Sequence, residues 1–252
     1  MIRYKFLGSG TSSGVPVIGC KCPVCISDDP RDKRTRASLL IEKGDIRILI
    51  DASIDFRFQA LRESIDTLTA VILTHAHADH IFGLDEVRVY SFRSPEKIIP
   101  IHAAPDTLEQ VRTIFSYSFN PPQQGGGVPN LRLFEITSPF DIEGIHIEPV
   151  PIWHGKVPIL GFKIGKMAYL TDCSKIDPEV LEKLHNLDVL ILGAIRHKPH
   201  STHFSVSEAV EVIKILKPKQ AYLTHISHML GHEATNKELP EGVELAFDGL
   251  TF

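Results

Sequence analysis

The hydrophobic positions of this chain come in short blocks, most of them bounded by glycine, proline or charged residues. Residues 2–7 form the first block and run into Gly8-Ser9-Gly10, and 38–42 and 46–51 flank Lys43-Gly44-Asp45 in the pattern of a β-hairpin. Ala70-Val71-Ile72-Leu73-Thr74 is short, apolar and β-rich, the signature of a buried strand. Further strands are expected at 131–136, 145–150, 159–164, 167–171, 188–193 and 220–224. Helical spacing suits 54–63, 79–91, 105–115, 177–185 and the run to Leu216, which opens on Ser205-Val206-Ser207-Glu208 and ends at Lys217-Pro218. Between the two β-rich halves, Asn120 to Asn130 is rich in Pro and Gly and reads as a loop long enough to be a lid. There is no short-period repeat and no low-complexity tract.

These 252 residues are 43% hydrophobic and 23% charged, an ordinary globular composition with mean hydropathy near zero. No run reaches the ~18 apolar residues a membrane span requires. The chain opens without a charged and apolar leader, so a reducing cytoplasm is the expected compartment. A net charge of −4 and a pI near 6.3 give little support to a nucleic-acid footprint. The unusual counts are 13 His and the placement of three of the four Cys between positions 20 and 25. Both point to metal.

The strongest signal is His75-Ala76-His77-Ala78-Asp79-His80, directly after the apolar block at 70–74. A strand-to-loop turn converges imidazoles and a carboxylate on one point, and these are ligands that Zn²⁺ and Mn²⁺ accept. The spacing differs from the His-Glu-x-x-His helix of zincins. A second signal is Cys20-Lys21-Cys22-Pro23-Val24-Cys25, three thiols able to meet one tetrahedral ion but short of a fourth ligand. The third is Arg196-His197-Lys198-Pro199-His200-Ser201-Thr202-His203, where His197, His200 or His203 could serve a leaving group.

The His-x-His-x-Asp-His block resembles the signature of the metallo-β-lactamase superfamily. Trp153-His154-Gly155, Leu170-Thr171-Asp172 and Leu223-Thr224-His225 fall in the order of that family's other ligands, so the resemblance covers nearly the whole chain. It implies a single domain over 1–252 with an αββα sandwich, two packed β-sheets flanked by helices. It further implies one ion on His75, His77 and His154, another on Asp79, His80 and His225, and Asp172 as the bridge. Cys173, next to Asp172, is a competing thiol ligand, read instead as a small buried residue. Two such ions ~3.5–4 Å apart lower the pKa of a bound water towards neutrality.

Gly10-Thr11-Ser12-Ser13-Gly14-Val15-Pro16 through Cys25 resembles the phosphodiesterase branch typified by phosphoribosyl 1,2-cyclic phosphate phosphodiesterases. That branch implies a structural zinc loop at about 19–28, with His228 as the fourth ligand beside Cys20, Cys22 and Cys25. It also implies His203 as the catalytic loop histidine, with Asp79 orienting the attacking water. The expected activity is phosphoric diester hydrolysis of a small cyclic phosphodiester, with two Zn²⁺ or Mn²⁺ ions and one structural Zn²⁺. A homodimer is the family expectation, with neither a membrane nor a nucleic-acid partner.

Rival readings keep the same metals: a thioester or lactone hydrolase, a tRNA 3′-processing nuclease, or a non-catalytic accessory protein like that of pyrroloquinoline quinone synthesis. A complete ligand set argues for an enzyme over the accessory role. Gly8-x-Gly10-x-x-x-Gly14 is one residue too long for a dinucleotide fingerprint. Arg31 to Arg36 is expected to be a solvated cationic face, and His102, His146, His185 and His232 are expected to be core or surface residues.

Overall fold

A computed structural model of the chain describes residues 1–121, 123 and 127–252. These form two compact units: residues 1–7, 38–137 and 249–252, and residues 8–37 and 138–248.

The first unit holds a six-stranded sheet in the order β1 (Arg3–Gly8), β2 (Ser38–Lys43), β3 (Ile46–Ile50), β4 (Ala70–Ile72), β5 (Ile99–Ala103) and β6 (Leu131–Glu135). The expected hairpin is present, with Leu39 opposite Ile50 and Lys43 opposite Ile46 in antiparallel register. From β3 to β6 the pairing is parallel. Alternate residues of these strands pack with α1 (Phe56–Arg62), α2 (Ala78–Ile81), α3 (Arg88–Arg93) and α4 (Pro105–Ile114) through Phe56, Ile81, Tyr90, Leu108 and Val111. A short α5 (Ser116–Phe119) follows. The other faces, at Ile48, Ile50 and Ile72, are fully buried as well, which explains why the blocks read as continuously apolar.

One helix expected at 79–91 is instead α2, a 3₁₀ turn (Phe82–Val87) and α3. Gly83 causes the break. Its N–H donates to Ala52 O at 2.9 Å, and a Cβ there would lie 2.0 Å from Ser53 O, so the chain bends to bring this backbone onto residues 52–53. β5 carried no strand signal because Pro100 sits inside Ile99-Pro100-Ile101. The expected lid at 120–130 falls partly outside the described residues.

The second unit holds a seven-stranded sheet in the order β13 (Val243–Leu245), β12 (Gln220–Thr224), β11 (Val189–Gly193), β10 (Met167–Leu170), β9 (Val157–Ile164), β8 (Ile145–His154) and β7 (Phe140–Ile142). Strands β7 to β10 are antiparallel neighbours and β10 to β13 are parallel. Leu170, Leu190, Leu192 and Leu223 pack with Val180 of α6 (Pro178–Leu181) and with Val206, Ala209, Ile213 and Leu216 of α7 (Val206–Leu216). The capping box expected at the start of α7 is formed: Ser205 and Glu208 exchange side-chain and backbone hydrogen bonds. The helix expected at 177–185 is shorter, α6 followed by a 3₁₀ turn, and a last helix, α8 (His232–Asn236), was not expected.

Residues 9–37 contain no long strand and are stitched into this unit through Asp248, whose carboxylate accepts from Ser9 N and Thr35 N at 2.9 Å each. Here one expectation fails. Arg34 is not solvated but 2% exposed, paired with Asp32 at 3.3 Å and donating to Leu230 O at 3.2 Å. Val15 pairs with Arg34 on both sides of its backbone, which turns the side chain inward, where a charge persists only with such partners. Among the described residues no helix is long and apolar enough to cross a membrane.

Candidate metal centres

In the first unit the chain leaves β4 through Leu73 and Thr74, and the next six residues carry the donors. Asp51, one residue beyond β3 and in the left-handed region at φ 62°, organises them. Its carboxylate accepts from Thr74 N at 2.8 Å and Thr74 Oγ1 at 2.9 Å, and from His80 Nδ1 at 2.7 Å. Burial raises the Asp51 carboxyl above the ordinary range, opposed by His80 and the Thr74 donors. Because the Thr74 hydroxyl proton goes to Asp51, its oxygen accepts from His75 Nδ1 at 2.9 Å. That leaves the His75 Nε2 lone pair facing His77 Nδ1 at 3.0 Å. Two imidazole nitrogens sharing one tetrahedral zinc lie ~3.3 Å apart, so this pair fits a single ion. His80 Nε2 lies 3.4 Å from Asp79 Oδ2, and the His75 and His80 rings are 4.2 Å apart. The four expected donors of this block fall into two adjacent pairs, His75 with His77 and Asp79 with His80. Asp51 was missed from the sequence; a carboxylate directly after a buried strand was the available signal.

In the second unit three strand ends converge. His154 is the last residue of β8, before a two-residue turn that Gly155 opens at φ 63°. Asp172 follows β10 and His225 follows β12, both left-handed at φ 53° and 57°. Gly193 allows the approach, since a Cβ there would sit 2.9 Å from Asp172 N. His225 Nε2 is 3.2 Å from Asp172 Oδ2, and His154, Asp172 and His203 bring donor atoms within 4.8 Å of one another. His154 Nδ1 donates to Thr202 O at 2.8 Å, so its Nε2 carries the lone pair for a ligand bond. His203 stacks on His225 at 4.9 Å, with Nδ1 at 3.9 Å from Asp172 Oδ2. Burial first, and His225 next, push His203 down to about 3. His200 lies beside it, ring centroids 5.1 Å apart, while His197 has no place in this cluster. Cys173 is fully buried with its thiol pushed up to about 12 by burial, as fits a core residue.

A separate site in the same unit brings Cys20, Cys22, Cys25 and His228 together. The three Sγ atoms stand 3.3, 3.4 and 3.6 Å from His228 Nδ1. Zinc bonds of ~2.3 Å to sulfur and ~2.1 Å to nitrogen put tetrahedral neighbours ~3.6 Å apart, so the four donors fit a closed structural site. The Cys25 amide, donating to the Cys22 sulfur, is the main cause that holds the Cys22 thiol down to about 6, favouring the thiolate a metal needs. None of the four cysteines is in a disulfide.

The Beta-lactamase superfamily domain matches residues 46–226. A crystal structure described as a new diphosphatase from the PhnP family is 42% identical, with a TM-score of 0.93, over 100% of this chain and 97% of that one. The octanoyltransferase of Porphyromonas gingivalis is 41% identical over 99% of this chain, which spans about half of that protein's length (51%). Zinc-bound PqqB from Methylobacterium extorquens, 19% identical, shares the fold at a TM-score of 0.81 over 99% of both chains. This chain belongs to the beta-lactamase superfamily, with the metallo-β-lactamase fold of the PhnP branch. Its two mixed sheets with helices packed on them are the fold class expected from the sequence.

Proposed function

We propose that the protein is a dinuclear metal-dependent phosphodiesterase for a small, cyclic phosphodiester, working in the cytoplasm. The observation that carries this reading is the preparation of the donors. His75, His80 and His154 each engage one ring nitrogen with a protein partner, Thr74, Asp51 and the Thr202 carbonyl, which orients each ring for a ligand bond through its other nitrogen. In this reading His75, His77 and His154 would hold one Zn²⁺ or Mn²⁺, and Asp79, His80 and His225 a second, with Asp172 as a further ligand. When bound, the two ions supply Lewis acidity and a water acidic enough to be deprotonated near neutral pH. Asp79 would orient the attacking water. His203, stacked on His225, gives a hydrogen bond or proton to the departing oxygen. The Cys20, Cys22, Cys25 and His228 site takes a third, structural zinc. The diphosphatase description of the 42%-identical relative supports phosphorus–oxygen chemistry.

The test is turnover of bis(p-nitrophenyl) phosphate by protein reconstituted with Mn²⁺ or Zn²⁺, beside a His77→Ala control. The expected result is metal-dependent release of nitrophenolate that the control lacks. His203→Ala should keep its metal and lose ~10²–10⁴-fold in kcat; unchanged activity would remove His203 from the mechanism. A second reading, hydrolysis of an acyl thioester at the same centre, has one specific support: the 41%-identical relative named octanoyltransferase. Cleavage of an octanoyl thioester without cleavage of the phosphodiester would favour it.

A further inference from the structure

The loop between β11 and α7, wholly within the second unit, is tied down along its length. At its base Ile195 N donates to Phe204 O at 3.0 Å and Val206 N to Arg196 O at 2.9 Å, while Phe204 N donates at 2.6 Å to Cys173 O, one residue beyond Asp172. Inside the loop the Arg196 guanidinium donates from Nε to Lys198 O at 3.1 Å and from Nη2 to Pro199 O at 2.7 Å. His200 comes next. Its Nδ1 accepts from Thr202 N at 3.3 Å and stands 3.2 Å from Thr202 Oγ1. A backbone N–H can only donate, so Nδ1 carries a lone pair here and the neutral ring has its proton on Nε2. On the other side of the same residue, Thr202 O accepts from His154 Nδ1 at 2.8 Å. Both backbone polar groups of Thr202 are therefore taken by imidazoles, one a candidate metal ligand and the other not. Gly155 permits this approach, since a Cβ there would lie 2.9 Å from Thr202 Cγ2. His203, next in sequence, has its ring centroid 4.6 Å from that of His154 and 5.1 Å from that of His200.

We propose that His200 is a positioning residue, acting through Thr202 on the ring of His154 and on the start of His203. This rests on the proposed function only in that His154 binds an ion and His203 serves the departing oxygen. The bond from Thr202 N to His200 fixes the peptide plane before Thr202, and the contact at Oγ1 fixes its side chain. The carbonyl that meets His154 belongs to the following plane, which is shared with the His203 amide. Thr202 thus sets two functional imidazoles at once, and His200, with Arg196 behind it at Pro199 O, holds Thr202 in place. Such partners of ligand histidines orient the ring and raise its affinity for an ion. The other nitrogen of His200, Nε2, meets no protein group among the described residues. Direct contact with substrate is therefore the competing role, and the two roles use opposite sides of the ring. Amide side chains separate them: the oxygen of Asn stands about where Nδ1 does, whereas the longer Gln reaches the position of Nε2.

The test reads metal as well as turnover. His200→Ala should weaken zinc binding ~10-fold in chelator competition, the lower end of what loss of a ligand's supporting partner brings. At saturating metal it should lower kcat on bis(p-nitrophenyl) phosphate ~10-fold and leave KM within about twofold. His200→Asn, which keeps an acceptor on the Nδ1 side, should recover most of both losses, and His200→Gln should resemble His200→Ala. Arg196→Ala, which loses both carbonyl bonds, should move in the same direction, and Lys198→Ala, at an exposed position of the same loop, should change neither quantity. Rescue by Gln in place of Asn, or a change confined to KM, would make His200 a substrate contact and overturn the proposal. Wild-type zinc affinity in His200→Ala, or equal impairment of the Ala and Asn variants, would overturn it as well. If the wild-type chain cleaves no diester, the proposed reaction fails, while the zinc-affinity comparison still decides the role of His200.

Discussion

At the scale of single residues, Asp51 makes the sharpest prediction. It accepts His80 Nδ1–H and both Thr74 donors, and through Thr74 it fixes the His75 tautomer. Asp51→Asn keeps the size but turns an amide donor towards groups that themselves donate. Metal affinity should fall ~10–100-fold, read by chelator competition, whereas the exposed Asp141→Asn should change nothing. The donors themselves were legible in the sequence, since three His and an Asp within six residues have few other uses. Asp51 was not, because an aspartate after an apolar strand is common and its meaning depends on what the fold places opposite it. The same is true of Arg34: in sequence it is one of four cations within six residues, and only the tertiary structure, with its backbone pairing to Val15, turns it inward.

At the scale of elements, α7 follows His203 within three residues, so its start positions the loop that carries His203. Ser205→Ala removes the hydroxyl half of the capping box, in which Ser205 Oγ accepts from Glu208 N, together with the Oγ bond to Glu208 Oε2, and keeps the bond from Ser205 N to that carboxylate. It should cost about 1 kcal/mol, a fall of roughly 2–4 °C in a calorimetric melting temperature for a chain of this size. A different element is held by donors rather than by packing: Ile18 and Ile26, flanking the Cys20–Cys25 loop, are 100% and 65% exposed. Cys25→Ser should therefore lose one zinc per chain, measured by mass spectrometry of the native protein, and make residues 17–27 the first site of proteolysis. Strands were legible where apolar blocks met turn residues. The helix at 79–91 was not, because helical spacing is a local property while the contact of Gly83 with Ala52 is not.

At the scale of the whole molecule, acid sensitivity follows from histidines that take no part in metal binding. Burial pushes His102 and His232 down to about 4, from an ordinary value of 6.5. Between about pH 6.5 and 4 the unfolded chain binds more protons than the folded one, so stability is complete above that window and is lost as pH falls through it. Asp29, held at about 2 chiefly by Arg31, acts only at more acid pH. The urea midpoint should drop between about pH 7 and pH 4, and His102→Gln should make that drop shallower; an identical slope would exclude His102 as a contributor. The sequence by itself determined the family, the alternation of strands and helices, and the donor residues, because ligand chemistry restricts residue type and a buried strand restricts hydrophobicity locally. The tertiary structure alone decided the partners that orient the candidate ligand histidines, the burial of Arg34, the break at Gly83 and the exposed face of α1 and α3. Each of those depends on an atom distant in sequence being brought within a few ångströms, which no local pattern records.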